Sequence, residues 1–377
     1  MVYLEKQALA KTSLDLVLNT LYQSGKGGKQ VYDGSGDQSL TLYEPVLYIN
    51  SQIDHNTSVF GSVVFDALSS ASAKAFDSGT GASKGGAASG GDDEEGGEGL
   101  LPGWQTRVGA EAGYYKKSGT WAFTPSAGFS HELSYNSLHG GLSVQKFFAE
   151  DNFVLSAGAF HFSDEAKPWD LAAAGFAGFK PKTTNSLNVS ATQLLSENEI
   201  LLGGISYTRQ GGFLEGTRNT VSTGTLVTDR ANEALPQGRD KFTANTRYVR
   251  SLGENLAFHL DYRYYRDSWD IAGHTWEPSL AISFSDEKGV FRVHYRRHSQ
   301  TAAKYYSGGT YPGVQLRMTS DSDLEKFTAN EGGVQVLYAP EPEGGGASWE
   351  YGGTALYYAR SNDLTALVFQ ATLTAKF

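Results

Sequence analysis

The sequence contains no cysteine and no long hydrophobic run. The absence of cysteine among 377 residues is compatible with an oxidising envelope compartment without requiring one. No stretch of about 18 apolar residues occurs, which excludes a transmembrane helix. Only 10 residues are proline, and lysine and glutamate do not recur at the 3.6-residue period of a helix. These features argue against a helical protein.

Basic charge is also scarce. Lysine and arginine number 31 against 41 aspartate and glutamate residues, and no basic patch is large enough to indicate nucleic-acid binding. No metal-ligand spacing, phosphate loop or nucleophile elbow occurs, so we predict neither a metal nor another cofactor. The carboxylates of residues 92–95, Asp-Asp-Glu-Glu, are of the kind that hard cations take, but a solvated acidic loop is the simpler interpretation.

The start of the chain has no secretory signal. Residues 1–6 lack the basic start and the apolar stretch that export requires. Either Met1 is an artificial start of a processed chain, or an envelope location is wrong. We favour the first and interpret residues 1–11 as a periplasmic lead.

Glycine and aromatic residues are abundant, with 45 Gly, 21 Tyr, 20 Phe and 6 Trp, and the two together argue against a helical protein. Residues 363–377 alternate in character up to the terminal phenylalanine, with Gln370 and Lys376 on the polar face. The apolar face consists of Leu367, Phe369, Ala371, Leu373, Ala375 and Phe377. This segment resembles the closing strand of bacterial outer-membrane β-barrels. From this segment alone, the last strand of a soluble β-sandwich remains an alternative.

Sixteen alternating segments recur along the chain, and sixteen is an even number, as a single-chain barrel needs. We predict one domain, residues 1–377, with strands near 12–23, 39–53, 57–67, 104–117, 120–133, 138–149, 152–163, 183–196, 199–212, 240–251, 255–267, 274–286, 289–302, 325–339, 347–360 and 363–377.

The connections between these segments alternate between short and long. Tight turns occur at 54–56, 118–119, 150–151, 197–198, 253–254 and 287–289. Long connections occur at 24–38, 68–103, 164–182, 213–239 and 303–324. Outer-membrane barrels have short periplasmic turns and longer external loops. We therefore predict an all-β, antiparallel transmembrane β-barrel of about 16 strands in the bacterial outer membrane, with both termini periplasmic and 68–103 as a long Gly/Ala/acidic external loop.

Charged residues occupy one face of the later strands. In 255–267, Leu256, Phe258 and Leu260 oppose His259 and Asp261. A charge on the lipid face costs about 2–4 kcal/mol near the midplane, so the charged face points into the lumen. The predicted lumen residues are Arg247, His259, Asp261, Arg263, Glu277, Arg292, His294 and Arg296. They are candidates for anion selectivity or for cross-strand salt bridges that satisfy buried charges.

Several segments resemble a poorly characterised family of Gram-negative outer-membrane or exported proteins of unknown function. They are Tyr262-Arg263-Tyr264-Tyr265-Arg266-Asp267, Trp269, His274-Thr275, Tyr295, Ser299-Gln-Thr-Ala-Ala-Lys-Tyr-Tyr306 and Val64-Phe-Asp-Ala-Leu-Ser-Ser-Ala-Ser72. The resemblance spans about residues 14–306; the insert at 78–99 and Lys304 depart from the pattern. It implies a membrane barrel and no activity. Neighbouring genes in this family imply an envelope redox context.

Four tyrosines lie at the predicted external strand ends. Tyr264, Tyr265, Tyr305 and Tyr306 are predicted to belong to the interfacial aromatic girdle or to a ligand-stacking mouth. Asp267/His274 and His298-Ser299 are the only catalytic candidates at the rim, and no motif makes them converge with a third group. We predict that the protein is not an enzyme.

The predicted function is a porin-like channel for passive passage of small polar or anionic solutes through a charged lumen, since barrels of this size enclose water-filled paths. The alternative is a non-conducting scaffold that holds a lipoprotein or a periplasmic redox partner. Outer-membrane lipid is the expected surrounding, and a homo-oligomer is compatible with the strand pattern.

Overall fold

A computed structural model of the protein describes residues 12–25, 40–70, 104–173, 175–217, 219–226, 229–286, 288–341 and 347–377. The sixteen barrel strands are β1 (Thr12–Gly25), β2 (Leu40–Asp54), β3 (Thr57–Ser70), β4 (Trp104–Ser118), β5 (Trp121–Glu132), β6 (Tyr135–Phe148), β7 (Phe153–Ala166), β8 (Lys180–Ser196), β9 (Glu199–Gly212), β10 (Gly238–Ser251), β11 (Leu256–Asp267), β12 (Ala272–Phe284), β13 (Gly289–Gln300), β14 (Phe327–Tyr338), β15 (Ser348–Arg360) and β16 (Leu364–Lys376).

These strands form one closed antiparallel barrel. Each strand pairs with its neighbours in sequence, and β1 pairs with β16 from Ser13 opposite Lys376 to Gly25 opposite Leu364. Closure leaves no strand edge unpaired, which is the condition for a sheet to span a bilayer. The predicted fold class and the count of sixteen strands are confirmed.

Successive residues of a strand alternate between the outer and the inner face of the barrel. On β16, Leu367 and Phe369 are exposed on the outside of the barrel, whereas Gln370 donates from Nε2 to Oδ1 of Asn19 on β1 at 2.8 Å. This period of two residues is what a barrel with lipid outside and polar groups inside requires.

The connections at the two ends of the barrel differ in length. At the end that carries both chain termini, called here the terminal end, six of the seven connections have two to four residues, and the exception is 339–347. At the opposite end, called here the loop end, the long connections are 26–39, 71–103, 167–179, 213–237 and 301–326. Three loop-end connections are nevertheless short, 133–134, 268–271 and 361–363, so the predicted alternation of short and long is incomplete.

Three predicted segments lie wholly or mostly outside the described residues. They are the lead at 1–11 and most of the long connections predicted at 24–38 and 68–103, since β1 ends at Gly25, β3 extends to Ser70 and β4 begins at Trp104. Within the described ranges no helix is long and apolar enough to cross a membrane.

The loop end also contains short secondary-structure elements. Trp169–Asp170 pairs with Gly175–Phe176, and Thr220–Ser222 pairs with Arg230–Asn232. A single turn of 3₁₀-helix spans Ser322–Leu324. The Thr220–Asn232 ladder lies in the connection 213–237 and the 3₁₀ turn in the connection 301–326.

Candidate functional site: the charged lumen wall

The eight side chains predicted for the lumen lie on β10 to β13 and share the inward face. Cross-strand register places Arg247 opposite Asp261 and His259 opposite Ser279. Seven of the eight line one cavity of about 350 Å³, and Arg263 does not. The residues in question are Arg247, His259, Asp261, Glu277, Arg292, His294 and Arg296. Residues of β14 to β16 line the same cavity, and a concave surface shared by consecutive strands of a closed barrel is its inside.

Several polar residues of the wall were not among those predicted. Glu331 and Gln335 on β14 and Gln370 on β16 also line the cavity. Their face is opposite to that of Val334 and Val336, which are exposed on the outside of the barrel. The alternation of Val334, Gln335 and Val336 is the signal that could have identified Gln335.

Two arginine–carboxylate ion pairs and one histidine–carboxylate pair organise the wall. Nε of Arg247 donates to Oδ1 of Asp261 at 2.6 Å. Nε of Arg296 lies 3.9 Å from Oε2 of Glu277.

The third pair joins Nε2 of His294 to Oε1 of Glu331 at 3.3 Å, and both side chains are largely buried. Cross-strand salt bridging, one of the two predicted roles, is therefore present in the geometry. Salt bridging does not exclude the other predicted role, anion selectivity, because two lumen arginines take no part in these pairs.

Arg263 and Arg292 are these two arginines. Among the described residues neither forms a hydrogen bond or an ion pair, and Nε of Arg292 is buried without a hydrogen-bond partner. Arg263 is exposed to the lumen opposite Asn245 and Thr275, which are both uncharged. The wall thus presents unpaired positive charge at two positions.

Arginine or histidine side chains occupy successive levels of the wall. Inward positions on one strand are two residues apart, roughly 7 Å along the strand. Arg263 lies one level nearer the loop end than Asp261 and its partner Arg247. His259 lies one level nearer the terminal end, and Arg292 lies one level beyond it, opposite Ala281. A basic side chain is therefore present at each of four consecutive levels.

The four predicted tyrosines do not form one group. Tyr264 lies beside His274, which is exposed on the outer face, with 5.1 Å between their ring centroids, as a girdle position would require. Tyr265, Tyr305 and Tyr306 instead pack against a buried apolar cluster at the loop end. The girdle interpretation is wrong for these three, because folded loops remove their rings from the lipid interface.

The loops 213–237 and 301–326 form a packed structure that we call the two-loop cap. Its larger apolar cluster consists of Leu235, Trp269, Ile271, Ala303 and Leu324, with Leu214 and the three tyrosines around it. Two backbone hydrogen bonds join the loops. The Ala234 amide donates to the Met318 carbonyl at 3.0 Å, and the Met318 amide donates to the Ala234 carbonyl at 2.8 Å. Nη1 of Arg317 donates to the carbonyl of Leu235 at 2.9 Å. The loops are therefore one structural unit.

The two-loop cap rests on inward residues at the loop end. Nε2 of Gln300 donates to the carbonyl oxygens of Asp323 and Glu325, at 2.8 Å each. Nη1 of Arg360 donates to Oδ1 of Asp323 at 2.5 Å. The cap consequently covers the lumen side of β13 to β15 at the mouth.

A buried carboxyl group lies inside the cap. Oε2 of Glu233 accepts the Gly216 amide at 2.8 Å and Nδ2 of Asn219 at 3.2 Å, whereas its Oε1 is buried without a partner. Burial, and then the neighbouring carboxylate of Asp321, raise the pKa of Glu233 to about 7. Burial likewise raises the pKa of Tyr311. The cap therefore contains a group that titrates near neutral pH.

The catalytic candidates at the rim have other partners. Nδ1 of His274 bonds the hydroxyl of Tyr262 at 2.8 Å, not Asp267 as its position in the sequence suggested. His298 faces the lumen against Thr275, at 2.8 Å.

Ser299 follows His298 directly and so lies on the opposite face of β13. Neither predicted pair is brought together. Among the residues with described positions, no group of three or more His, Asp or Glu side chains could hold a metal ion. The acidic run at 92–95 lies outside them.

A family model described as "Protein of unknown function (DUF3570)" matches residues 22–363. No curated protein matches the sequence. The barrel is similar to CdiB from Acinetobacter baumannii, with a TM-score of 0.52, 10% identity and coverage of 98% of this chain and 61% of that one.

Two further solved structures are also similar. OpdK from Pseudomonas aeruginosa, solved with vanillate, has a TM-score of 0.46 at 9% identity, with 98% of this chain and 99% of that chain covered. A BenF-like porin from Pseudomonas fluorescens Pf-5 has a TM-score of 0.46 at 8% identity, with 98% and 100% covered. At these identities the similarity concerns the fold alone, and the fold is an outer-membrane-type barrel.

Proposed function

Because this chain belongs to the DUF3570 family, whose description assigns no function, we propose a function from the lumen itself. The protein is an outer-membrane channel for the passive passage of small polar or anionic solutes, with both termini in the periplasm. The observation that carries this proposal is the series of basic side chains on four consecutive levels of the lumen wall, two of them unpaired arginines.

The mechanism requires no covalent chemistry. Arginines that line a pore favour anions, and passage is fast when each contact is favourable enough to be entered and weak enough to be left. The carboxylates that pair with Arg247 and Arg296 weaken the attraction of an anionic solute to those two levels. A solute would therefore pass along a wall of graded, moderate attraction.

The two-loop cap sets the entrance in this proposal. It covers the mouth over β13 to β15 through Gln300 and Arg360, so the path enters beside it. External loops that narrow the path would determine which solutes fit, while the lumen wall would determine their charge.

The same cap favours the second candidate function, a non-conducting barrel that holds an envelope partner. Its apolar cluster is well buried, with Leu235 2% and Trp269 2% exposed. A cap that closed the whole mouth would leave a scaffold with a lipoprotein or a periplasmic protein as its partner.

Single-channel recording separates the two functions. We expect the purified, refolded protein to give steady conductance in a planar bilayer, with a reduced anion preference in Arg263→Ala. A silent bilayer, with the folded barrel confirmed by heat-modifiable gel mobility, would refute the channel and leave the scaffold.

A further inference from the structure

The strand register leaves two lumen arginines without a counter-ion, Arg263 and Arg292, and of these Arg292 lines the cavity of the charged wall. The residues opposite Arg292 are Ala281 on β12 and Gln335 on β14, and neither carries a charge. By contrast, Arg247 lies directly opposite Asp261 and bonds it at 2.6 Å. Nε of Arg292 is buried and has no acceptor among the described residues. A buried guanidinium donor without an acceptor is unfavourable.

The carboxylates of the same cavity are already engaged. Asp261, Glu277 and Glu331 pair with Arg247, Arg296 and His294, respectively. All three pairs are centred nearer the loop end than Arg292. The wall itself therefore supplies no anion to this side chain.

The space beside Arg292 suits a small molecule. The cavity of about 350 Å³ is lined there by neutral polar groups, including Ser279, Gln335 and Thr354. Hydroxyl and amide groups such as these bond the hydroxyl and carboxylate oxygens of a solute. The planar guanidinium fork matches a carboxylate in a two-bond arrangement that lysine cannot form.

The charge of the lining favours a monoanion. Three arginines, Arg247, Arg292 and Arg296, face three carboxylates, so the formal charge of the lining is zero when the histidines are neutral. A second negative charge on the solute would find no second unpaired cation in this cavity and would meet carboxylates instead. Phosphate dianions are consequently disfavoured relative to monocarboxylates.

We propose that Arg292 anchors a small organic monocarboxylate in the lumen, with the carboxylate on the free guanidinium and its polar substituents against Gln335 and Thr354. This inference rests on the proposed channel and names its solute class. Binding at Arg292 can be measured without recording a current, so the site and the channel can be refuted separately.

Binding is tested with the folded barrel in detergent micelles, by saturation-transfer NMR with glycolate as the probe. We expect a saturable glycolate signal and weaker binding of inorganic phosphate. Arg292→Gln should lose at least about tenfold in glycolate affinity, since a charge-assisted hydrogen bond contributes about 1.5–3 kcal/mol and 1.4 kcal/mol is tenfold. The glycolate affinity of Arg292→Lys should lie between those of the wild type and Arg292→Gln, because lysine keeps the positive charge but lacks the planar guanidinium.

The matched control is Arg266→Gln. Arg266 is exposed, lies on the opposite face of β11 from Arg263 and does not line this cavity, so glycolate binding should be unchanged. Equal glycolate affinity in the wild type and both Arg292 variants would overturn the inference, as would tighter binding of phosphate. If Arg292→Gln does not fold, the Arg292→Lys comparison decides. Glycolate binding in a protein that gives no current would refute the channel and keep the site; current without glycolate binding would do the reverse.

Discussion

Arg239 donates two hydrogen bonds to one oxygen of Asp267, from Nε at 2.9 Å and from Nη2 at 2.5 Å. The Asp267 side chain is fully buried, and its other oxygen accepts the amides of Trp269 at 2.9 Å and Ile271 at 3.0 Å. The hydroxyl of Tyr265 donates to the same oxygen that Arg239 bonds, at 2.8 Å. One carboxylate therefore fastens β10, β11 and the turn into β12 beneath the two-loop cap.

Replacing this carboxylate by an amide should destabilise the barrel strongly. We expect Asp267→Asn to lower the free energy of unfolding by about 3–5 kcal/mol, because Arg239 would remain buried without a counter-ion. Urea-induced unfolding in lipid vesicles measures the change. The matched control is Asp261→Asn, whose partner Arg247 is 58% exposed; this should cost about 1 kcal/mol or less. Equal effects of the two substitutions would contradict the role given to Asp267.

The stability of the two-loop cap should depend on pH through Glu233. The pKa of this group is about 7 in the folded cap against an ordinary value of 4.5, so the folded cap binds the proton more tightly than the unfolded segment does. The cap is thus most stable below about pH 4.5, loses stability as the pH rises towards 7, and changes little above it. The difference corresponds to about 3 kcal/mol.

Hydrogen exchange of residues 213–237 between pH 4.5 and 8 tests this dependence, after correction for the intrinsic exchange rate. Glu233→Gln should remove most of it and protect the cap at pH 8, since the amide is neutral at every pH. Glu254→Gln, in an exposed turn at the terminal end, should leave it unchanged. A pH dependence that persists in Glu233→Gln would show that another group is responsible.

The two faces of a strand should respond differently to an added charge. Ile205 is 53% exposed on the outer face in the middle of β9, and the next residue, Ser206, lies on the inner face opposite Asn188. We expect Ile205→Arg to cost about 2–4 kcal/mol of folding free energy in lipid. Ser206→Arg should cost clearly less. Similar costs for both would contradict the assignment of the lipid-facing side.

The strands were predictable because their signal is local and repeated. Lipid outside and water inside impose a period of two residues, so alternation in 255–267 is enough to place His259 and Asp261 on the inner face. Glu331 was missed because Gly332 and Gly333 interrupt the same alternation on β14. The alternation in sequence therefore predicts the inward-facing wall, but it misses individual residues where neighbouring glycines interrupt the pattern.

The two-loop cap was not predictable by the same reasoning. Leu235 and Leu324 belong to one apolar cluster although they are far apart in the chain, and neither lies in a periodic segment. Tyr305 and Tyr306 followed the girdle rule by their position near a strand end, but a tertiary contact determines their environment. The unpaired state of Arg292 depends on strand register, which fixes Ala281 and Gln335 as its neighbours; composition alone carries no such information.

The reversal potential of single channels in a salt gradient tests the central claim most directly. The wild type should show anion preference. Arg263→Glu should shift the reversal potential towards cation preference, because the exchanged charge faces the lumen. Arg266→Glu, three residues along the same strand on the other face, should leave the potential unchanged. A reversal potential that is the same in the wild type and Arg263→Glu, or that shifts equally in both variants, would contradict passage along this wall.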